Sequence, residues 1–126
     1  MSQPRSIPDD VTRFVLTSVP SVPHLEAMLL FHREPSVRRT VAEVARALYL
    51  QDRAVTELLQ SLCSARILAC EDERYWYAPD ETLVASVERL EQAYRENLVG
   101  VTNLIHDATQ KSALRFADAF KWRKDS

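Results

Sequence analysis

Between Thr40 and Ala78 the spacing of apolar residues changes twice, and this restricts the chain to few folds. Thr40-Val41-Ala42-Glu43 carries the Thr-x-x-Glu pattern of a capping box, in which hydroxyl and carboxylate satisfy amide N–H groups left over at a helix start. Val41, Val44, Ala45 and Leu48 then follow the 3.6-residue helical period, which breaks at Tyr49-Leu50-Gln51-Asp52. Asp52 is a candidate cap for a second helix. That helix puts Val55, Leu58, Leu59, Leu62 and Cys63 on one face and Arg53, Ala54, Thr56, Glu57 and Gln60 on the other. After Ser64-Ala65-Arg66 come two β-prone runs, Ile67-Leu68-Ala69-Cys70 and Tyr75-Trp76-Tyr77-Ala78, around the polar turn Glu71-Asp72-Glu73-Arg74. Pro79 closes this hairpin. The pattern predicts a mainly α fold with a small β-hairpin.

Helical signals flank this unit on both sides. Val11, Phe14 and Val15 predict a short helix after Pro8-Asp9-Asp10, and Pro20 and Pro23 end it and introduce another, with Ser21 as cap. Leu25, Met28, Leu29 and Phe31 or His32 line that helix until Pro35, which disfavours helical geometry at Glu34. From Asp80 to about Ala108 apolar residues recur at Leu83, Val87, Leu90, Tyr94, Leu98, Val101, Leu104 and Ile105, a spacing like a heptad seam, with Asn97 and Leu98 competing for one position. This predicts one long helix, and a second copy of the chain to cover it. Gly100 is the only glycine; it costs about 1 kcal/mol against Ala in a helix interior, and reads either as permission for a close helix crossing or as a tolerated defect. Ala113 to Lys124 forms a short amphipathic segment with Phe116, Phe120 and a basic end, expected to pack on the domain or the partner. The chain thus divides into residues 1–79, the two-helix and hairpin unit with a helical extension, and residues 80–126, the dimerisation helix and tail.

Composition bounds the function. A chain of 126 residues, 46% hydrophobic and 27% charged, can build an ordinary globular core. No run approaches the roughly 18 apolar residues that span a bilayer, and Met1-Ser2-Gln3-Pro4-Arg5 precedes no apolar signal core, so no membrane contact and a cytoplasmic location are expected. Cys63 and Cys70 read as small core residues of a reducing compartment. With the scattered His24, His32 and His106 they give no zinc-ligand spacing, so neither metal nor cofactor is expected. The chain has no Gly-rich phosphate loop and no Gly-x-Ser-x-Gly elbow, and an enzyme is not expected.

The order helix, helix, turn, helix, hairpin, long helix, with Thr40-Val41-Ala42-Glu43-Val44-Ala45 and Ala54-Val55-Thr56-Glu57-Leu58-Leu59-Gln60-Ser61-Leu62, resembles bacterial winged helix-turn-helix regulators of the MarR and PadR types. The resemblance covers residues 22–79, and it implies a transcription regulator that binds duplex DNA as a homodimer. Asp52 to Ala65 would be the recognition helix. Arg53 would pair with guanine, Gln60 with adenine, and Thr56 with a phosphate or thymine methyl. Arg38 and Arg39 would clamp phosphates, and Arg74 would reach the adjacent groove. Leu83, Val87, Leu90, Tyr94, Leu98, Val101 and Leu104 would form the dimer seam.

Two features depart from the family pattern. Arg66 stands where such regulators often place Gly, and the hairpin tip Glu71-Asp72-Glu73 repels phosphate. Residues 36–79 hold six Arg and six Asp or Glu, a net charge of zero, and the chain's basic excess lies after residue 110. Phosphate attraction is therefore weak by charge alone. The alternative is a protein–protein interaction module of the same fold that does not bind DNA. An aromatic ligand pocket drawn from Tyr75, Trp76, Tyr77 and Tyr94 competes with plain core packing.

Overall fold

Pro20 and Pro23 separate two helices, as their fixed φ angles and missing donors require. The computed structural model describes residues 7–108 and begins with α1 (Asp9–Ser18) and α2 (Val22–Arg33). The Ser21 hydroxyl caps α2, accepting from the His24 amide at 3.3 Å. Next come β1 (Arg39–Thr40), α3 (Val41–Leu48), α4 (Asp52–Ser64), β2 (Leu68–Glu71) and β3 (Arg74–Tyr77). A single 3-10 turn (Glu81–Leu83) leads into α5 (Val84–Glu96), and residues 98–108 form α6. The molecule is mainly helical with a small antiparallel sheet. The amphipathic segment from Ala113 to Lys124 lies outside the described residues.

The capping box forms as its residues require. The Glu43 amide donates to the Thr40 hydroxyl at 3.3 Å, and the Thr40 amide donates to the Glu43 carboxylate at 3.2 Å. The Thr40 amide and hydroxyl hold the Glu43 carboxyl below the usual carboxylate range. The carboxylate half of this cap is fully present at neutral pH and weakens as the pH falls through that lowered value, while the bond from the Glu43 amide to the Thr40 hydroxyl does not titrate. Asp52 is not a cap: Gln51 holds the N-cap position of α4 without a side-chain hydrogen bond, and Asp52 is the first helical residue.

The sheet runs in the order β1-β3-β2, both pairs antiparallel. β1 was not foreseen; its two residues pair Arg39 with Tyr75 and Thr40 with Arg74. The hairpin turn is tighter than the sequence suggested, because Glu71 pairs with Arg74 and only Asp72 and Glu73 lie between the strands. Both are left-handed, with φ of 52° and 64°, which is the type I′ geometry that usually takes Asn-Gly. A Cβ in this region crowds the following carbonyl oxygen by about 1–2 kcal/mol. Glu73→Gly is therefore expected to raise the unfolding free energy by about 0.5–1 kcal/mol, after the extra chain entropy of Gly is subtracted. A higher urea midpoint at unchanged slope is the expected reading.

Val11, Phe14 and Val15 of α1, Leu25, Met28 and Phe31 of α2, Val44 of α3 and the Val55, Leu58, Leu59, Leu62 stripe of α4 build one apolar core. Val87 and Leu90 of α5 and Val101 and Ile105 of α6 belong to that same core, so the described part of 80–126 packs with 1–79 as a single unit. Arg89 of α5 is ion-paired with Asp10 of α1. Among the described residues no single helix is long and apolar enough to cross a membrane. α1 and α2 reach that composition only as a pair bent by 105°, and their apolar faces lie in the core.

The expected long helix is broken. α5 ends at Glu96, because Asn97, with φ of −147° and ψ of 66°, leaves helical space. Asn97 also starts α6: its side-chain oxygen accepts from the Gly100 amide at 3.0 Å, and its carbonyl accepts from the Val101 amide at 3.0 Å. Asn thus acts as an N-cap, which its short polar side chain favours. Gly100 admits this side chain; a Cβ there would meet the Asn97 amide nitrogen at 2.4 Å.

Candidate nucleic-acid interface

The six residues proposed to touch DNA fall into two groups. Arg53, Thr56 and Gln60 lie on α4 away from the buried Val55, Leu58, Leu59 and Leu62, with Arg53 and Gln60 exposed and Thr56 half-buried. The Thr56 hydroxyl donates to the Asp52 carbonyl at 2.9 Å. This bond is local to the helix, so the hydroxyl is not free as a donor while it persists. Arg38, Arg39 and Arg74 gather instead on the sheet, because β1 pairs with β3.

Each sheet arginine has a neighbour that alters its role. The Arg38 guanidinium lies 4.0 Å from the centre of the Trp76 ring, a cation–π contact that holds its direction while leaving it exposed. Arg39 donates through Nη2 to the Glu34 carboxylate at 2.6 Å, with its side chain only 14% exposed. Its Nε is buried without a hydrogen-bond partner among the described residues. Of the two arginines expected to clamp phosphates, Arg38 is exposed, whereas Arg39 ties β1 to the end of α2. Arg74 is exposed and near enough to Glu43 to help lower its pKa.

A cleft of about 460 Å3 is lined by Thr40, Val41, Ala42, Thr56, Glu73 and Tyr75; Thr56 is the one candidate contact on its wall. Trp76 faces the side of the sheet opposite Tyr75 and Tyr77, and of the four aromatics Tyr75, Trp76, Tyr77 and Tyr94 only Tyr75 lines this cleft. Tyr75 is buried beside its cross-strand partner Cys70, and burial together with Cys70 raises its pKa. Tyr77 meets the His32 ring edge-on at 5.5 Å between centres, and burial followed by the nearby Glu88 pushes its phenol up to about 12. The His24 ring Nδ1 lies 2.6 Å from the Ser21 hydroxyl, and burial lowers its pKa. Cys63 is half-buried, and desolvation with the nearby Cys70 pushes its thiol up to about 11, well away from a reactive thiolate. Among the described residues no group of three or more His, Cys, Asp or Glu side chains is placed to hold a metal ion.

The seven seam residues do not share one surface. Val87, Leu90 and Val101 are buried in the chain's own core, Leu83, Tyr94 and Leu104 are half-buried, and Leu98 is 54% exposed. The break at Asn97 turns α6 relative to the register of α5, so a continuous heptad face is lost. What remains outward is Leu98 with Val99, the latter 66% exposed. The residue that sequence reasoning passed over is Tyr49, 93% exposed between α3 and α4. The break in helical period fell there, but nothing in the residue type announced a left-handed turn.

Comparison with family models, curated proteins and solved structures returns no match for this chain.

Proposed function

We propose that the protein is a DNA-binding transcriptional regulator of the winged helix-turn-helix class, acting in the cytoplasm as a homodimer. The observation that carries this reading is the β1-β3-β2 sheet set against the α3–turn–α4 pair. In a helix-turn-helix the second helix presents one face to the major groove. Here α4 offers Arg53 and Gln60 on that face, and the hairpin is the wing. Leu98 and Val99 on α6 are the apolar pair that a second copy would cover.

Arg53→Ala is expected to weaken duplex DNA binding by about 10- to 100-fold if Arg53 reads a base. A titration at several salt concentrations checks this. Loss at one base position marks a base contact, whereas a uniform loss with a salt slope lower by about one marks a phosphate contact. Absence of duplex binding by the unaltered protein at low salt would sink the reading.

A second reading is a protein-binding module of the same fold. It is favoured by the wing tip, where Asp72 and Glu73 are exposed, and by the capture of Arg39 by Glu34. Recovery of a protein partner by a wild-type bait, and its loss with Asp72→Lys, would move the assignment to this class.

A further inference from the structure

Tyr49 combines a left-handed backbone with a highly exposed ring. Its backbone is left-handed, with φ 57° and ψ 45°, at the end of α3. The Tyr49 and Leu50 amides both reach back to the Ala45 carbonyl, the latter at 3.0 Å, which turns Leu50 inward. Glycine is the usual residue at such a helix end because it has no Cβ to crowd the carbonyl. Meanwhile the ring is 93% exposed, and its hydroxyl has no hydrogen-bond partner among the described residues.

We infer that Tyr49 is a contact residue for duplex DNA, its hydroxyl donating to a backbone phosphate; this rests on the DNA-binding reading above. Tyr49 lies two residues before the N-cap of α4 and four before Arg53, so it stands at the end of α4 that carries the exposed arginine. Asp52 and Glu57 are exposed near that same end and oppose phosphate by charge. A neutral phenol bonds a phosphate oxygen without adding charge, and tyrosine is among the side chains that position proteins on duplex backbones. With Arg39 held by Glu34, the helix pair needs such a donor more than a face rich in free arginine would.

The test uses a fluorescent duplex selected on the full chain from a random-sequence pool, titrated between about 50 and 200 mM salt. Tyr49→Phe is expected to weaken binding about fivefold, the worth of one lost hydrogen bond. Tyr49→Gly is expected to weaken it about tenfold or more while raising Tm by about 3 °C, since the backbone strain is relieved. The salt slope should stay unchanged in both, because a phenol releases no counterions. Opposite signs for stability and binding separate a contact from a folding role. Wild-type affinity in Tyr49→Gly, full binding by Tyr49→Phe, or a slope lower by one overturns the inference alone. Failure of the wild type to select any duplex overturns both this and the DNA-binding reading. Unchanged DNA affinity with loss of self-association on sedimentation makes Tyr49 a protein contact and also overturns it.

Discussion

Phe31→Ala is expected to lower the unfolding free energy by about 4 kcal/mol, one of the largest single losses available to this chain. Phe31 has no exposed surface and sits in α2, where Leu25, Met28 and Leu29 are also buried. Truncation removes the transfer energy of the ring and leaves a cavity that close-packed neighbours fill only partly. A domain of this size has roughly 5–15 kcal/mol in total, so the variant should populate unfolded chain under mild conditions. Urea titration followed by circular dichroism measures it. Phe31→Leu keeps most of the volume and should cost under about 1.5 kcal/mol. Equal losses in the two variants would place the aromatic ring, and not its volume, at the centre of the core.

The second large effect separates core from interface on α6. Val101 is fully buried in the apolar core, so Val101→Asp places a carboxylate there, and the expected cost is at least about 3 kcal/mol. Leu98 is 54% exposed, and Leu98→Asp should change the stability of the isolated chain by no more than about 0.5 kcal/mol. The two residues are three apart, so a helix facing a partner on one continuous seam would suffer similarly at both. Sedimentation completes the test. If Val101→Asp separates two copies and leaves each folded, α6 packs on a second chain and the core assignment of Val101 fails.

The local signals were legible and the non-local ones were not. Thr40 and Glu43 form their capping box because both partners lie within one turn, where four letters of sequence fix the geometry. The stripe of Val55, Leu58, Leu59 and Leu62 is buried as its period requires. β1 escaped notice because two residues carry no periodicity; only its pairing with Arg74 and Tyr75 makes it a strand. The long helix was over-read for the opposite reason. The three- and four-residue spacing continues through residue 97, so period alone masks the break, although Asn97-x-x-Gly100 contains a cap signal. Among the candidate contacts, the exposure of Arg53 and Gln60 follows from helix geometry. The pairing of Arg39 with Glu34 depends on how the chain turns around Pro35, which no spacing rule reports. Arg66 is the instructive middle case, since the missing glycine was visible in the sequence and its φ of 65° is what a glycine would have eased.

The contact between Asn97 and Gly100 also has a historical side. Any Cβ at position 100 collides with the side chain that starts α6, at 2.4 Å from its nitrogen. Ala at 100 is therefore compatible with a smaller residue at 97, or with an Asn rotated away from the amide it now accepts from. A side chain at position 100 therefore displaces Asn97 from the amide it accepts, so the cap that starts α6 depends on both letters together. A lineage that lost both would be free to join α5 and α6 into the uninterrupted rod that their spacing already permits.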